Sequence, residues 1–294
     1  MSRVDTKEFI EKYFPGVSTD VKWSRFYPHS FSTCKNCMFM FFCKYVARIE
    51  VPPSPMAMIG TRIHKMFYLY FKNVDIGLIT RYHDKTRDIN ALSNKIRAHF
   101  PKTVDPGEED AIEGFSRMEA RRFDAIFESR HSDVHSIEHL YRPAFAEITV
   151  KTKKFGGRID AIFRNDDTYM PIDWKSGFSC EIDDTIETQM NFYGILIHDV
   201  KFYDKLNGTR QQVTATRYEV HFPRSETVVS KNFSLSLQEK IRAERDGFER
   251  EVNNGHFPMR ASDEYCRYTS KHPCDYFNPV CKKIMENELG MEFH

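Results

Sequence analysis

Long hydrophobic runs are missing from this sequence, and no stretch approaches the roughly 20 apolar residues that a membrane-spanning helix requires. The opening residues Met1-Ser2-Arg3-Val4-Asp5 carry neither an apolar core segment nor the small-residue cleavage site of a secretory signal. A cytoplasmic protein with no membrane partner is therefore expected. Charge of one sign is lacking too: 43 Lys and Arg stand against 42 Asp and Glu, a formal +1. This excludes a uniformly basic nucleic-acid tail and leaves only a local patch for such contacts. There is no internal repeat and no low-complexity segment, which excludes solenoids and flexible linkers. What the chain does have is apolar mass. Hydrophobic residues make up 40%, with 25 Phe and 14 Tyr, enough for a sizeable core and against disorder. At 294 residues either one elaborated domain or two small ones is possible, and the missing linkers favour a single body over 1–294.

Periodicity divides the chain into a helical first half and a strand-rich centre. After the breaker cluster Pro52-Pro53-Ser54-Pro55, the stretch Gly60–Phe71 places Ile63, Met66, Phe67 and Tyr70 at helical spacing and puts His64 on a helix. Further helices are predicted over Thr86–Phe100 and Gly107–Ser129, interrupted by Pro101 and Pro106, within a helical insertion over 72–131. From Pro143 the texture changes. Ala144–Val150, Gly157–Arg164 and Thr168–Trp174 are short β-branched or aromatic runs parted by turns, the second at Asn165-Asp166-Asp167. A helix over Thr185–His198, a strand over Val213–Phe222 and an amphipathic helix over Leu235–Val252 complete the pattern, with the core sheet in 144–222.

Two of these strands carry acids in apolar surroundings. Alternation in GGRIDAIF sends Arg158, Asp160 and Ile162 to one face and Ile159, Ala161 and Phe163 to the other. In PIDWKSG it places Asp173 and Lys175 on one side with Trp174 between them on the other. Phosphodiester hydrolysis needs water deprotonated near neutral pH and relief of phosphate charge, and divalent cations held by carboxylates supply both. Asp160 and Asp173 are candidate ligands for such a cation, and Lys175 a candidate for orienting the water and stabilising the developing charge. A D-x-K strand by itself is more often an ion pair with solvated ends. Glu138 and Glu147 lie just upstream, read as solvated or supporting carboxylates.

These motifs resemble the RecB-like branch of the PD-(D/E)XK nucleases, in which a G-R-I-D strand precedes an I-D-x-K strand. Upstream, Gly60-Thr-Arg-Ile-His64 resembles the branch's G-x-x-x-H helix; downstream, Gln189-Met-Asn-Phe-Tyr193 resembles its Q-x-x-x-Y helix. Ile159 stands before Asp160, where the family name implies Pro, as is usual in this branch. The resemblance implies an α/β restriction-endonuclease-like fold, a central mixed sheet flanked by helices with an inserted helical lobe. It implies Mg²⁺ or Mn²⁺ held by His64, Asp160, Asp173 and the Trp174 carbonyl, with Lys175, Gln189 and Tyr193 completing the catalytic set.

Three of the seven cysteines, Cys266, Cys274 and Cys281, crowd into a short C-terminal stretch rich in Pro and aromatics. Three thiolates leave a tetrahedral centre one ligand short, so a distant fourth is required. The N-terminal segment offers Cys34, Cys37 and Cys43, and around Phe41-Phe42-Cys43-Lys44-Tyr45-Val46 it is similar to the RecB-like opening pattern. By that resemblance Cys37 joins the other three around a [4Fe-4S] cluster, as in AddB and CRISPR-associated RecB-like nucleases, joining segments 30–50 and 260–285. Cys34 stands near enough to replace Cys37, the ligand types also permit zinc, and Cys43 and Cys180 read as core or free thiols. The expected activity is metal-dependent exonuclease action on single-stranded DNA or DNA ends in recombination, repair or phage DNA processing, alongside a helicase or recombination protein. The alternative is a catalytically inactive DNA-binding or assembly module that keeps the fold. Lys151, Lys153 and Lys154, with Arg121 and Arg122, are candidate phosphate contacts.

Overall fold

The computed structural model describes residues 5–102, 105–130, 133–165, 168–204, 208–260, 266 and 274–290. Along the chain run α1 (Lys7–Tyr13), α2 (Pro28–Asn36), α3 (Met38–Phe41), a π-helical turn (Phe42–Val46), α4 (Pro55–Asn73), α5 (Ile76–Thr86), α6 (Ile89–Arg97), α7 (Pro106–Ser129) and α8 (Val134–Tyr141). There follow β1 (Phe145–Lys151), β2 (Gly156–Asn165), β3 (Thr168–Trp174), α9 (Asp184–Asp199), β4 (Lys201–Asp204), β5 (Thr209–Gln212), β6 (Arg217–Phe222), β7 (Thr227–Asn232), α10 (Leu235–Asn253) and α11 (Lys282–Leu289). Two residues of the predicted turn, Asp166 and Asp167, and the loop 267–273 between the cysteines lie outside the described residues. No described helix is long and apolar enough to cross a membrane. The chain divides into two units, residues 53–152 with 156–238, and residues 1–52 with 153–155 and 239–294.

The first of these units is an α/β structure around a five-stranded mixed sheet of order β1-β2-β3-β6-β7. β1, β2 and β3 form an antiparallel meander, β3 pairs β6 in parallel, and β7 returns antiparallel on β6. The three meander strands lie within a residue or so of their predicted positions, because each is a half-buried alternating run closed by a turn. β6 starts at Arg217 rather than Val213, and β7 shows only half-buried and exposed positions, so its edge carries no burial pattern to read.

Helix α4 starts where the proline cluster ends: the Ser54 side chain accepts a hydrogen bond from the Ala57 amide (3.2 Å), and Pro55 occupies the first turn, where no amide partner is needed. Its apolar stripe, Ile63, Phe67, Tyr70 and Phe71, is buried. The helix predicted from Thr86 begins instead at Ile89. Asp88 caps it by accepting from Asn90 (2.8 Å) and Ala91 (3.2 Å), while Arg87 turns left-handed (φ 47°) to end α5. Phe67, Phe71, Phe115 and Trp174 interlock in one core that joins α4 to α8 with one face of β2 and β3. Arg122 is consumed by this core. It lies 4.3 Å from the Phe163 ring and 4.4 Å from the Tyr141 ring, pairs with Glu119 (2.7 Å), and donates to the Tyr141 carbonyl (2.8 Å). Its assignment as a phosphate contact is therefore corrected. Arg121 is likewise committed, to Glu226.

At Gly114 on α7, a β-carbon would stand 1.8 Å from the Pro223 carbonyl oxygen. The obstacle is backbone, so neither side can give way cheaply. Gly114→Ala is expected to cost about 3 kcal/mol or more, against the small gain Ala usually brings to a helix interior. Urea unfolding of the two proteins checks this.

The second unit brings the two ends of the chain together. Thr6 donates to the Phe257 carbonyl, Tyr13 to Glu288 (2.6 Å), and the Phe42 and Phe257 rings lie 5.2 Å apart. Its aromatic core includes Trp23, Phe26, Phe41 and Tyr45. Arg245 is fully buried, donating to the Ser24 carbonyl (3.1 Å) and pairing with Glu249 (2.7 Å). Lys154 pairs with Asp246 (3.2 Å).

Candidate active site and metal centre

The sheet register builds the site. Ala161 faces Ile172 across β2 and β3, so Asp160 and Asp173 stand directly opposite each other on the face away from Trp174. Ala146 faces Ala161 and Ile148 faces Ile159 across β1 and β2, which puts Glu147 opposite Asp160. Three acids thus form a row across three strands. Glu147 departs from the pleat at φ 49°, a left-handed backbone that is strained for a side chain of this size. Its carboxylate nevertheless belongs to the site. Ligand atoms of His64, Glu147 and Asp160 all lie within 4.8 Å of one another, the one such group of three or more among the described residues.

Each side chain is held. The His64 Nδ1 lies 3.2 Å from Asp160 Oδ2, which also accepts the Trp174 amide (3.0 Å). Asp173 is buried; its Oδ1 accepts from Gln189 Nε2 (2.9 Å), and its Oδ2 lies 2.8 Å from the Lys175 ammonium. That ion pair is close but poorly directed, and Oδ2 makes no hydrogen bond of good geometry. Lys175 instead donates to Gln189 Oε1 (2.8 Å), while Gln189 Nε2 also reaches the Tyr193 hydroxyl (2.9 Å). The six side chains predicted for this site form two groups, His64 with Asp160 and Asp173 with Lys175, Gln189 and Tyr193, and the register of β2 on β3 sets the two acids side by side. The Trp174 ring points into the core and its amide into the site.

Negative charge is in excess here. Burial pushes the Asp173 carboxyl above its usual range, Lys175 draws it back, and the neighbouring Asp160 raises it again. Glu147 is raised by burial and then by Asp160. Burial works against protonation of His64, but Asp160 outweighs it and lifts the imidazole to about 8. Burial likewise opposes the Lys175 charge, and Asp173 more than restores it. Crowded carboxylates with an under-bonded buried oxygen, plus an imidazole, are the hard-oxygen and nitrogen donors that suit a divalent ion. A cavity of about 730 Å³ opens onto His64, Glu147, Arg158 and Asp160, flanked by Gly60, Tyr68 and Ser176.

Residues 25–282 match the model of the PD-(D/E)XK nuclease superfamily. The chain belongs to this superfamily. No curated protein matches it. For a PD-(D/E)XK nuclease a nucleic acid is the implied substrate and a divalent-metal site is typical, with His64, Glu147 and Asp160 as its candidate ligands. Glu147, ranked from sequence as a supporting or solvated carboxylate, sits inside it. Glu138 does not; it is exposed and pairs with Arg142 (3.2 Å).

The cysteines of this superfamily member are all unpaired. Cys37 ends α2 and its Sγ accepts the Arg260 amide (3.4 Å); the Cys266 thiol faces the Arg260 carbonyl (3.7 Å); the Cys274 amide donates to the Cys266 carbonyl (3.0 Å). Burial raises the Cys281 thiol, and after burial the nearby Cys43, Cys274, Cys37 and Cys266 raise it further. Burial also moves Cys274 up to about 11. The four predicted ligands are neighbours, and Cys43, read from sequence as a core thiol, is among them. The thiol that acts on Cys34 is Cys37.

Proposed function

We propose that this chain is a Mg²⁺- or Mn²⁺-dependent DNA exonuclease of the RecB-like branch, acting on single strands or DNA ends in recombination, repair or phage DNA processing. The observation that carries the reading is the pairing of Asp160 with Asp173 on adjacent strands, with Lys175 on the same face and a cavity beside them. His64, Glu147, Asp160 and Asp173, with the Trp174 carbonyl, would hold the cation. When bound, it supplies an acidified water and relief of the charge on the scissile phosphate. Lys175, fixed between Asp173 and Gln189, is positioned to orient the attacking water and to face the charge that develops on phosphorus. Gln189 holds both Lys175 and Asp173, and Tyr193 in turn steadies Gln189.

We assign Cys37, Cys266, Cys274 and Cys281 to a [4Fe-4S] cluster. One zinc ion would draw its sulfurs to about 3.8 Å from one another, given Zn–S bonds of roughly 2.3 Å. No three described thiols lie within 4.8 Å of one another. An iron–sulfur cluster, wider than a single ion, would hold four thiolates without drawing them so close.

The test uses labelled linear single-stranded DNA with Mn²⁺, with the 5′ or the 3′ end blocked in turn, beside a circular single strand. The expected result is stepwise shortening that one of the two blocks arrests, with the circle left intact. Rapid cutting of the circle overturns exonuclease action, and inert linear DNA that still binds the protein turns the reading into a non-catalytic module.

A further inference from the structure

The loop after β3 carries a feature the reaction chemistry does not use. Phe178 follows Lys175 by three residues, so the two α-carbons are at most about 11 Å apart. Its ring is 74% exposed, the largest exposure among the described large hydrophobic residues. A large apolar ring held in water beside a catalytic strand is a cost that core packing does not explain.

The ring is held in place rather than dangling. The Arg224 guanidinium lies 4.3 Å from its centroid. All three guanidinium nitrogens are shielded from water, yet they make no hydrogen bond. A cation with unused donors is expensive to shield, so the arrangement favours something other than the stability of Arg224 itself. Space for it comes from Gly107 in the first turn of α7, where a β-carbon would stand 2.6 Å from Nη2. The acids at that helix start are engaged elsewhere: Glu108 pairs with Arg62, Asp105 lies 3.6 Å from the same guanidinium, and Asp105 also caps the Gly107 amide (2.9 Å). Arg62 stands two residues before His64 on α4, and Ser176, two residues before Phe178, lines the cavity over Asp160. The loop that carries the ring therefore leaves the cavity lining at Ser176, two residues before it.

We infer that Phe178, backed by Arg224, is a stacking platform for an unpaired base of the DNA strand whose phosphate enters the Asp160–Asp173 site. Planar guanidinium beneath an aromatic ring fixes its orientation and leaves the outer face open, and aromatic faces stack any base without regard to sequence. Phe178 touches the substrate, and Arg224 is a positioning residue. The inference rests on the nuclease reading and extends it to unpaired DNA at a point near the scissile bond.

The test measures binding of a fluorescein-labelled oligodeoxythymidylate by anisotropy, with Ca²⁺ in place of the catalytic cation. Phe178→Ala is expected to weaken binding about tenfold or more, and Phe178→Trp to retain it. In Phe178→Trp the oligonucleotide should quench the added indole emission, and an abasic strand of equal length should not. Adding Arg224→Ala to Phe178→Trp should reduce that quenching, and Arg224→Lys, which lacks the planar face, should not restore it. Because Phe178 is exposed, its variants test the idea even if Arg224→Ala fails to fold. Wild type that binds and cuts while Phe178→Ala binds equally well overturns the platform and leaves the nuclease reading standing. Equal quenching by abasic DNA overturns the platform as well. Wild type that neither binds nor cuts overturns the nuclease reading, and the platform with it.

Discussion

Asp173→Asn will degrade end-labelled single-stranded DNA at least about a thousandfold more slowly than the wild type in Mn²⁺, and Lys175→Ala about a hundred- to a thousandfold more slowly. The two losses have different causes. Asp173 lies inside the row of acids, and Asn keeps its shape and its contact with Gln189 while removing the charge that would hold the cation. Lys175, in the proposed function, would face the charge that develops on the phosphate. A second measurement separates chemistry from folding. Burial raises the Asp173 carboxyl, so folding disfavours its ionised form. The sign follows: the unfolded chain gives up this proton more readily, so the group lowers stability as pH rises from its ordinary value through the folded one. Removing that charge relieves this cost but takes the ion-pair partner from Lys175, so the two effects oppose and the metal-free melting temperature should stay near that of the wild type. Saturating Mn²⁺ should then raise the wild-type melting temperature by several degrees, as a ligand at about 100 times its Kd adds roughly 2.7 kcal/mol. That rise should be absent in Asp173→Asn. Equal degradation by wild type and both variants would mean a contaminating nuclease and would remove the enzyme reading.

The legible part of this site was the part written in strand alternation. A period of two separates Asp160 from Ile159 and Ala161 in one strand and Asp173 from Trp174 in the next, and the pairing of Ala161 with Ile172 then brings both acids to one face. His64 and the Gln189–Tyr193 pair were legible through helical spacing and the order of motifs. Glu147 was not, because its place depends on which residue of β1 faces Asp160 and on a left-handed backbone that no local propensity favours in Glu. Helices α5 and α8 carry a sign in the sequence itself: Asp75 and Asp133 each stand just before an apolar segment and accept amide hydrogen bonds as caps. Arg122 shows the opposite limit. A basic residue on a helix reads as solvated until its neighbours, Phe163 and Tyr141, are known to enclose it.

Protein purified without oxygen will be brown with broad visible absorption, and Cys274→Ser will be colourless and less stable by about 5 kcal/mol. The colour follows from iron bridged by sulfide and held by thiolates. The stability follows from chain geometry. A bridge from Cys37 to Cys281 closes a loop of about 245 residues, and the entropy it removes from the unfolded chain is worth roughly 5 kcal/mol. Burial and the neighbouring sulfurs hold Cys281 and Cys274 above the usual thiol range, so cluster binding would have to displace their protons and should weaken as pH falls. Cys34→Ser should keep the colour, because Cys34 is near Cys37 and is not among the thiols that act on Cys281. Denaturant midpoints with iron and sulfide analysis check both halves, and a colourless wild type carrying one zinc per chain would replace the cluster with a mononuclear site.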